Sequence, residues 1–247
     1  SSWDGVDITS FTGMSNYMGY QAGVFDGRYV YLVPWDYSGS RHGRVARFDT
    51  KGTFTDDAAW DGIDITTFSG MEDHKGFFGG MFDGRYVYLV PFFYGPSYSG
   101  KIARFDTLGT FTDSTSWEGI DFSTFSGLSR GYSGGAFDGR YLYFAPFHDG
   151  SSFHSQVVRY DTTGGFADDN AWDGVQIHGF TGMSDYKGFY GAVFDGRYLY
   201  LVPNLEDNYH GRVARFDTTG VFTSDASWDG VNTASLSGMS GYKGYVG

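Results

Sequence analysis

The segment Phe25-Asp26-Gly27-Arg28-Tyr29-Val30-Tyr31-Leu32-Val33-Pro34 decides how this chain folds, because its pattern returns three times. Phe-Asp-Gly-Arg-Tyr begins again at Phe82, Phe137 and Phe194, and Pro91, Pro146 and Pro203 close the later copies. Asp-Gly between two β-prone runs is a hairpin signal, since both residues tolerate positive φ. It predicts a two-residue turn between strand a (Ala22-Gly23-Val24-Phe25) and strand b (Arg28 to Val33). Strand b is apolar or aromatic on both alternating faces, so both faces must be covered. Proline ends it where a missing N–H costs little.

Other motifs keep the same period. Trp-Asp-Gly or Trp-Glu-Gly begins at Trp3, Trp60, Trp117, Trp172 and Trp228, with spacings of 57, 57, 55 and 56 residues. Arg-(Phe/Tyr)-Asp-Thr begins at Arg47, Arg104, Arg159 and Arg215. A third strand, c, runs from Arg44 to Asp49, and a short fourth, d, lies between Trp60 and Phe68. Strand a is small in every copy (Ala22-Gly23, Gly79-Gly80, Gly134-Gly135, Gly191-Ala192), which suits backbones converging on a crowded axis.

Four-stranded antiparallel units covered on both faces describe a β-propeller of one domain over residues 1–247. Its repeats are residues 3–59, 60–116, 117–171, 172–227 and a partial copy at 228–247. A linear β-solenoid is the alternative, but its repeats are usually shorter. Four copies of strands a, b and c favour four blades. Five copies of segment d, with Tyr245-Val246-Gly247 opening a fifth strand a, leave five as the alternative.

The repeat pattern resembles uncharacterised bacterial and environmental propeller repeats along essentially the whole chain. In general plan alone it is similar to the tandem-repeat propeller lectins of the tachylectin type. The first resemblance implies fold. The second implies architecture, and no sugar-binding residue is carried over from it.

Composition narrows the function. With 17 Lys and Arg against 29 Asp and Glu, the net charge is −12, which disfavours nucleic acid or an anionic membrane as partner. There is no Cys, so disulfides, thiol nucleophiles and cysteine-held metals are excluded. No apolar run reaches the ~20 residues of a membrane span, and no signal peptide is visible. An extracellular or cell-surface location is the expectation that goes with a sugar ligand.

Residues invariant in all copies read as scaffold. Asp26 and Arg28, Arg47 and Asp49, and their equivalents look like turn chemistry and ion pairs tying blade to blade. The tryptophans read as inter-blade packing. Function is sought where the copies differ, on the b–c and d–a loops, which share one face of a propeller. The b–c loops offer Trp35, Tyr37, Tyr94, Tyr98, His148, Asn204 and Tyr209. Five residues before each strand-c Arg stand His42, Ser99, His154 and His210. Seven residues before each Phe-Asp-Gly stand Met18, Lys75, Arg130 and Lys187, and the partial copy supplies Lys243. Aromatic faces beside short polar groups suit carbohydrate, and the cations would favour an acidic sugar or sulfate.

The leading expectation is therefore a multivalent carbohydrate- or glycoconjugate-binding protein without cofactor, metal or catalytic residues. Three histidines at equivalent positions raise a metal as a weaker idea, interrupted by Ser99. The second expectation is a protein-interaction or structural module of a longer surface protein, with Phe92-Phe93-Tyr94 as its richest apolar patch. A glycosidase or lyase ranks below both. It would draw on Asp36, Glu72, Asp73, Asp149, Glu206 or Asp207, which no local motif joins.

Overall fold

The computed structural model describes residues 3–245. Strands and short 3-10 turns carry the regular structure throughout them, and no helix is long and apolar enough to cross a membrane. Blade one consists of β1 (Tyr20–Phe25), β2 (Tyr29–Pro34), β5 (Arg44–Asp49) and β6 (Trp60–Asp64) in that order. Between β2 and β5 lies a small hairpin of β3 (Asp36–Tyr37) and β4 (Ser40–Arg41). Blade two holds β7 (Phe77–Phe82), β8 (Tyr86–Pro91), β9 (Lys101–Asp106) and β10 (Trp117–Asp121). Blade three holds β11 (Tyr132–Phe137), β12 (Tyr141–Pro146), β13 (Gln156–Asp161) and β14 (Trp172–Gln176). Blade four holds β15 (Phe189–Phe194), β16 (Tyr198–Pro203), β17 (Arg212–Asp217) and β18 (Trp228–Asn232). The chain is thus all-β, built of the four-stranded antiparallel blades that make propellers.

The sheets are offset from the sequence repeat. Each Trp-Asp-Gly segment is the outer strand of the blade before it, so Trp228–Asn232 completes blade four. The first copy joins no sheet among the described residues: Trp3 is 87% exposed, and residues 3–7 form no strand. Five copies of segment d therefore give four sheets among the described residues. Tyr245 is not in a strand, and Val246 and Gly247 lie outside the described residues. Strand d is also shorter than expected, because Asp64 ends it by capping a 3-10 turn at Ile65–Thr67.

The turn between β1 and β2 departs from the two-residue hairpin. Phe25 pairs with Val30, leaving residues 26–29 between them, and the Asp26 N–H donates to the Tyr29 carbonyl. The Asp26 carboxylate accepts the Arg28 and Tyr29 N–H groups (2.8 and 2.6 Å) and the Tyr31 hydroxyl (2.7 Å). Asp83, Asp138 and Asp195 do the same in the other blades. The side chain, rather than backbone twist alone, sets this turn.

The invariant ion pairs need a correction as well: they join strands of one blade, not neighbouring blades. Arg28 reaches Asp49 (2.6 Å) and Arg47 reaches Asp61 (2.8 Å), each within blade one. What crosses to the next blade is the flat side of the guanidinium. Arg47 lies 4.3 Å from the Phe111 ring centroid, and Arg159 lies 4.3 Å from that of Phe222. Each blade-closing Trp donates its indole N–H to a carbonyl six residues earlier and packs on the strand-c ring of its own blade, as Trp60 does on Phe48 at 4.9 Å.

The chain divides into two compact units, residues 1–96 with 101–119 and residues 97–100 with 120–247. In the first, Val24, Tyr31, Val33 and Val45 of blade one pack with Val87, Leu89, Ala103, Phe105 and Phe111 of blade two. In the second, Tyr143, Ala145, Val157 and Val175 of blade three pack with Leu199, Leu201, Ala214, Phe216 and Phe222 of blade four. Each buried Val, Leu or Phe of these sets contributes ~1.5–3 kcal/mol on burial. The small inner strands permit close approach: a Cβ on Gly134 would stand 3.3 Å from the Gly191 Cα.

The turn aspartates give a graded prediction. Tyr143 is fully buried, so Asp138→Ala strands its hydroxyl together with two amides and should cost about 2–4 kcal/mol. Tyr200 is only half-buried, so Asp195→Ala should cost clearly less. Urea denaturation midpoints of the two variants measure the difference; equal losses would contradict it.

Candidate functional site

The loops that carry the candidate residues are fastened by a glycine that the sequence reading passed over. It follows the recurrent cation: Gly76 after Lys75, Gly131 after Arg130, Gly188 after Lys187. The Gly131 N–H donates to the Ser99 carbonyl (2.9 Å), and its own carbonyl accepts the N–H groups of Phe147 and His148 (3.1 and 3.3 Å). Gly76 bonds likewise to His42 and Phe93, and Gly188 to His154, Asn204 and Leu205. One residue thus ties the loop of one blade to the loop of the next. Gly131 has φ +78°, and a Cβ there would overlap the His148 carbonyl, so glycine is required. The signal was present in the sequence as Met18-Gly19, Lys75-Gly76, Arg130-Gly131, Lys187-Gly188 and Lys243-Gly244.

The histidines belong to this seam. His42, His154 and His210 are buried, as is Ser99 at the equivalent place. Their Nδ1 atoms accept the N–H of the residue two ahead: Arg44 (3.3 Å), Gln156 (3.3 Å) and Arg212 (3.2 Å). The Nε2 of His154 contacts the Gly131 carbonyl (3.3 Å), and that of His210 the Lys187 carbonyl (2.7 Å). These rings hold loop backbone and present little surface to a ligand. Burial lowers the pKa of all three, and that of His154 to about 4. Among the described residues no three His, Asp or Glu gather in a group able to hold a metal.

In blades two to four the recurrent cations meet nearby acceptors. In blade four Lys187 Nζ lies 3.6 Å from Glu206, and Arg212, the first residue of β17, bonds Glu206 (3.2 Å) and reaches Asp185 (3.8 Å). In blade two Lys101, the first residue of β9, pairs with Asp73 (2.9 Å) and lies over the Tyr94 ring (5.6 Å), with Lys75 3.9 Å from the same carboxylate. In blade three Arg130 Nε donates to the Asp149 carbonyl (2.9 Å), and Gln156 holds the neighbouring loop through Ser129 N–H and the Gly127 carbonyl (2.6 Å each). Lys75, Arg130 and Lys187 are thus held by local acceptors.

The aromatics divide into covered and open rings. Trp35 carries the Arg41 guanidinium on one face (3.9 Å) and meets Phe78 edge-on (5.2 Å). Tyr98 stacks on His148 at 4.6 Å. Phe92 is buried against Phe78 and Trp35, so Phe92-Phe93-Tyr94 is not an open apolar patch. Asn204 is buried and donates to the Tyr245 carbonyl (2.8 Å). Tyr37 and Tyr209 remain open, 43% and 60% exposed.

The isolated acids are spoken for too. Asp36 pairs with Arg41, Glu72 accepts the Gly70 N–H, and Asp149 caps its own loop through Ser151 and Ser152.

Open polar clefts of about 360 Å³ lie at two of these loci. One lies in blade three against Ser123, Ser129, Arg130, Asp149 and Ser151. The other lies in blade four against Glu206, Asp207, Tyr209, Arg212, Asn232 and Lys243. Both offer donors and acceptors at short range, and the second adds an exposed ring. No protein-family model matches this sequence, and comparison with curated proteins finds no match.

The buried histidines set a pH dependence. His154 titrates at about 4 when folded and near 6.5 when unfolded. Between those values only the unfolded chain takes up the proton, so stability falls as pH drops through the window. The ceiling is about 3 kcal/mol for this one residue, at ~1.4 kcal/mol per pH unit. Thermal melts of wild type and His154→Gln from pH 7 to 4 should show a shallower decline in the variant; parallel declines would contradict it.

Proposed function

We propose that the chain is a multivalent carbohydrate-binding protein whose shallow sites lie on the loops between the second and third strands of its blades. The observation that carries this reading is a recurrent set of three positions, namely the cation before the loop glycine, the third residue after the strand-ending proline and the first residue of the third strand, all three of which meet in blade four and two of which meet in blades two and three. The same positions supply Lys75, Tyr94 and Lys101 in blade two, Arg130, Asp149 and Gln156 in blade three, and Lys187, Glu206 and Arg212 in blade four. Polar groups held by neighbours are preorganised to exchange bonds with hydroxyls, and an exposed ring such as Tyr209 offers a face to sugar C–H groups. Several similar weak sites on one scaffold gain by avidity. An extracellular or cell-surface setting goes with such a ligand.

The pairing of the cations alters the expected sugar. Lys187 and Arg212 share Glu206, and Lys75 and Lys101 share Asp73. Each of these cations already has a carboxylate partner, so an acidic ligand would have to displace an existing ion pair, and a neutral, hydroxyl-rich one is favoured.

A glycan array with the purified chain tests this. The expected result is saturable binding to one group of neutral glycans, insensitive to added salt. Calorimetry with the best glycan should then show Tyr209→Ala lowering the number of sites while the remaining sites keep their affinity. A blank array would overturn the reading. Binding confined to sulfated or carboxylated glycans and lost in salt would overturn the preference for neutral sugar.

A further inference from the structure

We propose that the cleft at Ser69 and Ser114, where the end of blade one meets blade two, binds a carboxylate carried on a small apolar group. The other copies of the repeat make the equivalent contact with a carboxylate of their own. Three residues before each blade-closing Trp stand Asp57, Ser114, Asp169 and Asp225. Directly after the Phe that closes a 3-10 turn stand Thr12, Ser69, Ser126 and Thr181. The Asp57 carboxylate accepts the Thr12 N–H (3.1 Å) and hydroxyl (2.6 Å). Asp225 accepts the same two groups of Thr181 (3.0 and 2.7 Å), and Asp169 accepts the Ser126 N–H (3.4 Å). Three copies thus place a carboxylate on the same pair of donors, in bonds that the charge strengthens.

Blade two differs at this point. It keeps the donors in Ser69 and replaces the acid with Ser114. Among the described residues, the Ser69 N–H, the Ser69 hydroxyl and the Ser114 hydroxyl have no hydrogen-bond partner. A cleft of about 350 Å³ lies there, with both serines in its wall and Phe68, Met71 and Trp117 beside them.

Two features define the ligand. Its polar end is a carboxylate, because the donors are those that hold one in the other copies. Its body is small and apolar, because rings and a thioether line the rest of the cleft. The acids nearby do not forbid an anion. Glu118 is held by Arg104 (2.6 Å), and Asp113 accepts the Thr115 N–H and hydroxyl (2.9 and 2.8 Å). Blade one keeps the same two acids, Asp61 on Arg47 and Asp56 on the Ala58 N–H, together with the Asp57 carboxylate.

Amide NMR of the full chain tests this with two probes. Phenylacetate stands for a free acid, and acetyl-alanyl-aspartyl-alanine amide for an acidic side chain of a partner protein. The expected result is saturable shifts of the Ser69 and Gly70 amides with one probe or both. A response to phenylacetate alone assigns a free acid, and a response to the peptide alone assigns a partner's side chain. Phenylacetamide has the shape of phenylacetate without its charge and should bind at least about tenfold more weakly. Ser114→Asp gives blade two the acid that the other copies hold, so it should weaken probe binding at least about tenfold. Its melting temperature should be at or above that of wild type, which separates a filled site from a damaged fold. No saturable shift at Ser69 with either probe would overturn the proposal, as would equal binding by phenylacetamide or by the Ser114→Asp variant.

Discussion

The loop glycine is the constraint on which the rest depends. Gly131 donates to the loop carbonyl of one blade and accepts from the loop of the next, at a φ and a closeness that no other residue tolerates. The apolar faces give blades a reason to stack, but area burial is non-directional. The glycine seam supplies direction. It fixes where one blade's second-to-third strand loop lies against the next blade, and so where the variable side chains meet. The buried histidines reinforce it by holding the backbone on either side.

Inside a blade the division of labour is equally plain. Asp26 and its equivalents bind the first turn, and Arg28 and Asp49 clamp the second and third strands, with Arg28 holding the Asp49 carboxyl down to about 2. Arg47 joins the third and fourth strands while its flat side rests on Tyr29 and Phe111. A scaffold satisfied by its invariant residues leaves the loops free to differ. The locus is Tyr in the first two blades (Tyr37, Tyr94), Asp in the third (Asp149) and Glu in the fourth (Glu206), without disturbing any of these bonds.

The blades were legible because their signals are local. Strand c was read as Arg44 to Asp49 and is found there, since apolar alternation, a turn and the next Trp bound it on both sides. The double-faced strand b correctly required cover on both faces, as Tyr31, Val33, Val87 and Leu89 show. The first turn was misjudged because the Asp26 side chain, which no dipeptide rule includes, spans it. The ion pairs were assigned between blades because recurrence in sequence says nothing about which strand faces which. The histidines looked like ligands because their alignment was visible and their burial was not. The partners of the cations were hidden for a related reason. Lys187 and Glu206, or Lys101 and Asp73, lie far apart in sequence and meet only when the two loop sets fold over one another.

The central claim is that the variable loop locus of each blade binds a neutral sugar. Backbone amide NMR during titration with neutral methyl glycosides addresses it directly. The account predicts saturable shifts confined to residues 129–131 and 148–151 in blade three and residues 186–188 and 205–209 in blade four, with the turn residues 138–141 and 195–198 unmoved. Shifts centred on those turns, or none at saturating sugar, would contradict it.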